Sequence, residues 1–282
     1  MGDTKGEGIH SGVRLKHGLG QHILVSRTAL ERILGAAQLS VSDLVLEIGA
    51  GTGVLTRALA ERAGHVVGVE IDVGLKSALE RALSGLSNVQ IVFGDALDMD
   101  FSELIRPFGS AWKCVSNLPY YVTSPLLFKL LDTRPIFRRA VLLVQKEVAH
   151  RAVAEPGSKR YGLLSVSVQL RSKAHIAGVV PAGAFRPVPE VDSAILVLEP
   201  RELTPEEELL TKKVTRLARV LFNQRRKTLI NALAPALSET ADGKKLAHEL
   251  LRYCHIDPMR RPETLSLEEL SLLSGRLEHF SS

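Results

Sequence analysis

The chain has few cysteine and aromatic residues for a length of 282. Cys114 and Cys254 are its only cysteines, and they lie far apart in the sequence. This usage argues against a disulfide scaffold or a cysteine-based zinc site and favours a reducing cytosol. Aromatic residues make up only 5% of the chain, so we expect a core built mainly from aliphatic side chains.

The sequence also lacks long apolar runs. None approaches the roughly 20 residues that cross a bilayer, so an integral membrane protein is not expected. The first twelve residues are polar and glycine-rich, with Asp3 and Glu7. They contain neither the apolar stretch of a signal peptide nor the arginine-rich, acid-poor composition of a transit peptide. We therefore expect a flexible tail over residues 1–15 and a cytoplasmic protein.

The remaining composition is globular, with 45% hydrophobic and 24% charged residues, which excludes a wholly disordered chain. Up to about residue 200, short β-rich runs alternate with helical patterns, and this alternation predicts a parallel, doubly wound sheet. Beyond Pro200 the patterns are helical. We predict an α/β domain over residues 16–203 and a small all-helical domain over residues 204–282. The predicted strands are Val45–Gly49, Val66–Glu70, Val89–Phe93, Cys114–Asn117, Ala140–Gln145 and Ala194–Leu198.

Positive charge is concentrated in two segments. Residues 134–160 contain seven Lys or Arg and two acids, and residues 212–227 contain seven and no acid, although the whole chain carries only +5. Clustered positive charge is typical of surfaces that bind nucleic-acid phosphates. One cluster alone would more often be a solvated helix face, but two on one chain favour nucleic acid.

The first predicted strand ends in a glycine-rich turn. Glu47, Gly49, Gly51 and Gly53 form an E-x-G-x-G-x-G pattern, which is common in S-adenosylmethionine (AdoMet) methyltransferases. A dinucleotide site would need G-x-G-x-x-G, and Val54 occupies the last glycine position of that pattern. The turn favours AdoMet over a dinucleotide, and a plain tight turn between strand and helix is the simplest alternative.

Acidic residues follow at the ends of the next two predicted strands. Glu70 ends the second strand, where a carboxylate can accept hydrogen bonds from both ribose hydroxyls. Asp95 follows the third, where a carboxylate can accept one from the adenine amine. Either acid alone is more often a polar strand end. Three successive strand ends with suitable groups together predict an AdoMet pocket.

The fourth predicted strand ends in Asn117-Leu118-Pro119-Tyr120. An exocyclic adenine amine is a poor nucleophile because its lone pair is delocalised into the ring. The Asn117 side-chain oxygen and the Leu118 backbone carbonyl can accept its two hydrogens, and Tyr120 offers a face on which the base can stack. The remaining catalysis is alignment for in-line methyl transfer, without a metal. Related tetrapeptides also occur in enzymes that methylate glutamine amides, so the motif alone leaves the substrate open.

A second aromatic residue stands in a stiff, proline-rich segment, Phe185–Pro189. Phe185 offers a second face that can sandwich a flipped base against Tyr120. A lone phenylalanine is more often part of the core, and core packing is the alternative interpretation.

Together these motifs resemble those of the ribosomal RNA adenine N6,N6-dimethyltransferases of the small-subunit, KsgA/RsmA type. The resemblance runs from about Lys16 to Ser274. It implies a class I AdoMet-dependent methyltransferase domain with a Rossmann-like sheet. It also implies transfer of two methyl groups to each of two adjacent adenosines in the 3′-terminal hairpin of small-subunit rRNA, with S-adenosylhomocysteine as the product. Its further marks are Gly20–Leu24, Gln145–Glu147, Tyr161-Gly162, Phe185–Ser193 and Phe222–Leu229.

The motifs and the resemblance predict three sets of residues, and the implied partner is the assembling small ribosomal subunit, bound by a monomer. The residues predicted to carry methyl transfer are Asn117, Leu118, Pro119, Tyr120 and Phe185. Those predicted to bind AdoMet are Gln21, His22, Leu24, Gly49, Gly51, Glu70, Ile71, Asp95, Ala96 and Asn117. Those predicted to bind RNA are Arg134, Arg138, Arg139, Arg151, Lys159, Arg160, Arg225, Arg226 and Lys227.

One motif departs from the bacterial pattern, and two alternative functions stay open. His22-Ile23 stands where bacterial sequences usually have Asn-Phe, whereas archaeal and eukaryotic relatives often have His-Ile. The erythromycin-resistance methyltransferases of large-subunit rRNA share the AdoMet and Asn117–Tyr120 motifs, but Phe222–Leu229 and Arg260-Arg261-Pro262 favour the small-subunit type. A non-enzymatic assembly or nucleic-acid-binding factor on the same fold is the other alternative, against which the intact glycines and acids argue.

Overall fold

The computed structural model describes residues 9–10, 13–14, 22–238, 242–277 and 279–280. These residues form two compact units. The first contains the described residues up to Ala149 together with Ala174–Pro200, and the second contains His150–Lys173 and the described residues from Arg201 onwards. Most of the predicted tail over 1–15 lies outside the described residues. Within it, Ile9–His10 and Val13–Arg14 pair as short antiparallel strands.

A seven-stranded sheet organises the first unit. Its strands are β1 (Leu44–Ile48), β2 (His65–Glu70), β3 (Val89–Phe93), β4 (Trp112–Asn117), β5 (Arg139–Gln145), β6 (Ser172–Val180) and β7 (Ser193–Pro200). Their order across the sheet is β3-β2-β1-β4-β5-β7-β6. Strands β1 to β5 pair in parallel, whereas β7 pairs antiparallel with β5. The carboxyl ends of the parallel strands therefore share one edge.

The sheet differs from the sequence prediction in two respects. The reversed strand β7 makes the sheet mixed rather than wholly parallel. Strand β6 was missed because its exposed positions, such as Lys173, alternate with half-buried ones and give no continuous apolar run. Strand β1 has the opposite character, since all five of its residues are buried, as expected for a strand covered on both faces.

Helices follow most of the strands, and the first of them precedes the sheet. The side chain of Ser26 accepts a hydrogen bond from the Ala29 amide and so caps the first helix, as polar residues do at this position. These helices are α1 (Arg27–Ala37), α2 (Val54–Ala60), α3 (Lys76–Ala82), α4 (Phe101–Ile105), α5 (Thr123–Asp132) and α6 (Lys146–Ala152).

The second unit is helical. Its long helix α8 (Pro205–Asn223) begins with a capping box, in which Thr204 and Glu207 each bond the backbone amide of the other, satisfying two of the free amides of the first turn. None of the described helices is both long and apolar enough to cross a membrane. Its helices are α7 (Leu163–Arg171), α8 (Pro205–Asn223), α9 (Leu229–Leu237), α10 (Asp242–Tyr253) and α11 (Leu267–Leu277).

The boundary between the units is more complex than one break near residue 203. Residues 150–173, which the sequence pattern assigns to the α/β domain, group with the helical unit. Tyr161 and Val166 are fully buried in the same apolar cluster as Val214 and Leu217 of α8. Burial of these side chains explains the grouping, because apolar area removed from water stabilises the unit that encloses it.

Candidate active site

A pocket lies beyond the carboxyl edge of the sheet, where strands β1 to β4 end. The turns after these strands and the segment His22–Leu24 line it. Ligands of open α/β sheets bind in such crevices outside the strand ends. Every described residue that we predicted to bind AdoMet lines this pocket, and Gln21 lies outside the described residues. Those lining residues are His22, Leu24, Gly49, Gly51, Glu70, Ile71, Asp95, Ala96 and Asn117.

The turn after β1 depends on glycine. Gly49 has φ of +83° and Gly51 has φ of +59°, in the left-handed region where a side chain would be strained. The Gly49 amide donates a hydrogen bond to the Val69 carbonyl of β2 at 2.8 Å. A Cβ on Gly49 would lie 3.5 Å from the Asn117 carbonyl oxygen. The turn therefore brings bare backbone between the ends of β2 and β4, where a ligand can approach closely.

Backbone amides hold the Glu70 carboxylate. One oxygen accepts a bond from the Gly51 amide at 2.7 Å, and the other accepts one from the Asp72 amide at 2.8 Å. Only 4% of Glu70 is exposed, and this burial raises the pKa of its carboxyl. The two bonds fix the carboxylate at the pocket wall, which suits it to bind hydroxyl groups of a ligand.

Glu47 also lines the pocket. In the sequence it stands out only as the first residue of the E-x-G-x-G-x-G pattern, which predicts no binding role for it. It is 1% exposed, and its Oε2 atom has no hydrogen-bond partner among the described residues. Burial, with Glu70 nearby, raises its pKa to about 8. The carboxyl is therefore mostly protonated at neutral pH, and its unpartnered oxygen is itself buried behind the pocket surface.

The described part of the pocket lining favours a cationic ligand. Besides the protonated Glu47, it contains the acids Glu70 and Asp95 and no lysine or arginine. AdoMet carries a sulfonium and an ammonium cation against one carboxylate, so its charge fits this lining. In the described ranges, no cluster of His, Cys, Asp and Glu is arranged to hold a metal ion.

The side chain of Asn117 is oriented by one hydrogen bond. Its Nδ2 atom donates to the His22 carbonyl at 2.9 Å. A carbonyl only accepts, so this bond identifies the nitrogen and leaves Oδ1 as the free acceptor at the pocket. The backbone is fixed as well, because the Leu118 amide donates to the Leu143 carbonyl of β5 at 3.0 Å.

Tyr120 is anchored through its hydroxyl. The hydroxyl lies 2.5 Å from Ser193 Oγ, and burial raises the pKa of the phenol. The Tyr120 ring centroid lies 5.3 Å from that of His22, whose Nδ1 is 2.8 Å from the Pro187 carbonyl oxygen. Sequence reasoning missed Ser193 as a positioning residue. The signal was its place directly before the last predicted strand, Ala194–Leu198.

The structure does not support the stacking role predicted for Phe185. Its side chain is fully buried and belongs to the same apolar cluster as Leu24 and Ile195. Its backbone pairs with Leu24 in a short antiparallel ladder, Phe185–Arg186 with Ile23–Leu24. A base needs an accessible ring face, and this ring offers none because core packing covers it.

Three predicted RNA-binding arginines lie at the opposite edge of the sheet from the pocket. Arg139 begins β5, and Arg138 donates its amide to the carbonyl of Trp112, the first residue of β4. Arg139 forms an ion pair with Glu199 and donates to the Ala36 carbonyl. Arg134 donates to the carbonyls of Leu131 and Thr133. Their position and bonds do not support a role in RNA binding near the pocket.

The second unit carries the other predicted cations. Arg151, Lys159, Arg160, Arg226 and Lys227 are exposed, as phosphate-binding side chains must be. Arg225 is different. Its guanidinium pairs with Glu263 at 2.6 Å and donates to the carbonyls of Ser158 and Lys159. It is thus engaged within the unit.

The sheet order, the reversed last strand and the acids at successive strand ends define a class I AdoMet-dependent methyltransferase fold. A family model described as ribosomal RNA adenine dimethylase matches residues 12–271. The chain therefore belongs to the ribosomal RNA adenine dimethylase family.

The chain is similar to named proteins over nearly its whole length. It is 42% identical to the ribosomal RNA small subunit methyltransferase A of Geobacter sulfurreducens, covering 94% of this chain and 96% of that one. It is 43% identical to the protein of that name from Moorella thermoacetica, covering 92% and 91%. A dimethyladenosine transferase structure from Plasmodium falciparum matches with a TM-score of 0.75, 30% identity and coverage of 89% and 96%.

A structure of the 23S rRNA methyltransferase ErmE also matches, with a TM-score of 0.68, 26% identity and coverage of 91% and 99%. Its lower identity favours the small-subunit type over the erythromycin-resistance type. The predictions of the family, of an rRNA methyltransferase and of the class I fold with a helical C-terminal part are confirmed.

Proposed function

We propose that this protein transfers methyl groups from AdoMet to the N6 amines of two adjacent adenosines in the 3′-terminal hairpin of small-subunit rRNA. It acts in the cytoplasm, as a monomer and without a metal, on the assembling small subunit. The names of its relatives and the geometry at Asn117 support this proposal.

The observation that carries the proposal is the orientation of Asn117. Its amide nitrogen is committed to the His22 carbonyl, so its oxygen is the atom that faces a substrate. An acceptor at this place takes a hydrogen bond from the target amine, and the Leu118 carbonyl takes the second. Both bonds favour a nitrogen lone pair that is localised and directed rather than delocalised into the ring. A hydrogen-bonded amine held in this way needs only alignment with the methyl donor.

The remaining pocket residues bind and orient. When bound, AdoMet supplies an electrophilic methyl group on its sulfonium. The Glu70 carboxylate accepts bonds from the ribose hydroxyls, and Asp95 accepts one from the adenine amine. Tyr120, fixed by Ser193, offers its face to the target base.

RNA is held by charge outside the pocket. The exposed cations Arg151, Lys159, Arg160, Arg226 and Lys227 of the second unit bind phosphates of the hairpin stem, whose unpaired loop presents the adenosines. All residues that line the pocket belong to the first unit, whereas these cations belong to the second.

The test uses small ribosomal subunits that lack the modification. They are incubated with the purified protein and AdoMet labelled in the methyl group, and the labelled nucleotides are mapped. We expect two adjacent N6,N6-dimethyladenosines near the 3′ end of the rRNA. Large ribosomal subunits incubated in parallel serve as the comparison.

The other outcomes identify the alternatives. Label on large-subunit RNA would select the erythromycin-resistance type of activity, and label on protein would select amide methylation of glutamine. Label nowhere, with subunit binding retained, would select a non-enzymatic assembly factor. Each of these results contradicts the proposal.

A further inference from the structure

The loop between α6 and α7 carries two exposed cations, Lys159 and Arg160, on a backbone that is tied in place. The Gly157 amide donates to the Glu263 carbonyl at 2.6 Å, and the Tyr161 amide donates to the Ser158 carbonyl at 3.1 Å. Gly157 has φ of +86°, so the loop turns through the left-handed region that glycine permits. These bonds and this turn give the loop backbone a defined conformation.

Arg225 and Glu263 complete the attachment of this loop. The Glu263 carboxylate accepts from Arg225 Nε at 2.6 Å, while Arg225 Nη2 donates to the carbonyls of Ser158 at 3.3 Å and Lys159 at 2.5 Å. The guanidinium thus joins the end of α8 to the loop on one side and to Glu263 on the other. Its side chain is 36% exposed and that of Glu263 is 23% exposed, so water screens the pair only in part.

This arrangement separates Arg225 from its neighbours in the sequence. Arg226 and Lys227 are exposed, whereas the donors of Arg225 point to acceptors of its own unit. A fork of guanidinium donors suits three acceptors at fixed angles, which a lysine ammonium cannot match. Position in a basic run therefore does not make Arg225 a phosphate ligand.

We propose that Arg225 and Glu263 are positioning residues for RNA binding, which hold the Glu155–Arg160 loop so that Lys159 and Arg160 present their charges in a fixed place. The inference rests on the proposed RNA-binding function of this surface. A cation that is already held in place loses less conformational freedom when it meets a phosphate. The positioning pair therefore raises affinity without touching the RNA.

A substitution at Glu263 separates two explanations, electrostatic attraction and loop positioning, because they predict opposite changes in RNA affinity. Glu263→Gln removes one negative charge from a cationic surface, so electrostatics alone predicts tighter RNA binding. A glutamine oxygen can still accept from Arg225 Nε, but without the charge that strengthens the bond, so a weakened hold on the loop predicts weaker binding. Glu155→Gln is the matched control, because it removes the same charge from an exposed residue of the same loop.

The affinity of each variant is measured for an RNA hairpin with the 3′-terminal sequence of small-subunit rRNA, and for unmodified small subunits. We expect Glu263→Gln to bind about threefold to tenfold more weakly than the unchanged protein, and Glu155→Gln to bind equally or more tightly. Circular dichroism melting and AdoMet binding establish that each variant is folded. Tighter binding by both variants would overturn the inference.

A second set of variants tests whether Arg225 acts through the loop. Arg225→Lys keeps the charge but not the fork, and we expect it to bind RNA as weakly as Arg225→Ala. Lys159→Ala should weaken binding less in the Glu263→Gln background than in the unchanged protein, because the lysine has already lost its fixed position. If Arg225→Lys binds RNA as tightly as the unchanged protein, Arg225 is a simple charge contact. If the losses of RNA affinity from Lys159→Ala and Glu263→Gln are strictly additive, the two residues act independently. Either result would refute the positioning role.

Failure of this inference differs from failure of the proposed function. If Lys159→Ala and Arg226→Ala both leave RNA affinity unchanged, this surface does not bind RNA, and both its proposed RNA-binding role and the positioning inference are refuted, whereas methyl transfer is judged by the labelling test. If these two weaken binding while Glu263→Gln does not, the RNA surface stands and only the positioning role is refuted.

Discussion

The pocket of the first unit and the basic surface of the second differ in almost every physical respect. The described pocket lining is acidic, and its key groups are fixed by backbone amides and carbonyls at strand ends. The basic surface is exposed, and a side-chain ion pair organises its loop. The first arrangement controls where atoms lie, and the second controls how strongly phosphates are attracted. Variants in the two regions should therefore change different observables.

The largest effect is expected at Asn117. Asn117→Ala removes the acceptor for the target amine, so we expect methyl transfer to fall about 100-fold to 1,000-fold or more, the range seen when one preorganised hydrogen bond at a reacting centre is lost. Single-turnover transfer of labelled methyl groups measures this rate. AdoMet should still bind, at least weakly, and RNA binding should be retained, as measured by calorimetry.

Asn117→Asp is the informative companion variant. It keeps an acceptor oxygen but cannot donate to the His22 carbonyl, which would instead face a carboxylate. We expect low activity from this variant too. Dimethylation at the unchanged rate by either variant would remove Asn117 from its assigned role and break the association of the pocket with chemistry.

A smaller effect is expected at Glu70. Glu70→Gln replaces one carboxylate oxygen by an amide group that cannot accept from both Gly51 and Asp72 as well as from a ligand. Hydrogen bonds to a charged acceptor contribute about 1.5–3 kcal/mol, so we expect AdoMet affinity to fall about tenfold to 100-fold. Glu80→Gln, the same change at an exposed position of α3, should leave affinity unchanged.

The pH dependence gives a second measure of Glu70. Burial raises the pKa of this carboxyl, so its charged form is lost at a higher pH than that of an exposed glutamate. AdoMet affinity of the unchanged protein should therefore fall as the pH falls towards the raised pKa. The Glu70→Gln variant should lack this contribution. An identical pH profile for both proteins would show that another group is responsible.

The smallest effects are expected on the basic residues, where Arg226 and Arg138 should differ. Arg226→Ala should weaken RNA binding about threefold to tenfold and lower the salt dependence by the equivalent of one phosphate contact, about 0.7–0.9 in the logarithmic slope. Arg138→Ala should change neither quantity, because Arg138 lies at the edge of the sheet opposite the pocket. Equal losses from both variants would extend the RNA surface to that edge.

The sequence was most informative where local pattern determines position. Glu47, Gly49 and Gly51 stand in a motif whose spacing fixes a strand end and a turn, and the structure brings them to the pocket with Glu70 and Asn117. Strand β6 escaped prediction because its half-buried alternation leaves a weak apolar signal. Its pairing is decided by tertiary contacts rather than by local preference.

Side-chain roles were least predictable where one residue type serves two purposes. Phe185 lies in a loop-like, proline-rich segment, yet its ring is buried by packing from distant parts of the chain. Arg139 and Arg225 stand in basic runs, but they form ion pairs with Glu199 and Glu263. These partners are 60 and 38 residues away in the sequence, so no local sequence pattern predicts the ion pairs.

The bond between Tyr120 and Ser193 has a consequence for the order in which the protein is completed during synthesis. Because β7 runs against β5, its first residue stands at the edge where the parallel strands finish. A nascent chain that ends before Ser193 already contains the glycine turn, Glu70 and Asn117, but not the hydroxyl that anchors Tyr120. The residues proposed to bind AdoMet are thus synthesised first. The ring of Tyr120, on which the base is proposed to stack, is fixed only after β7 has been synthesised.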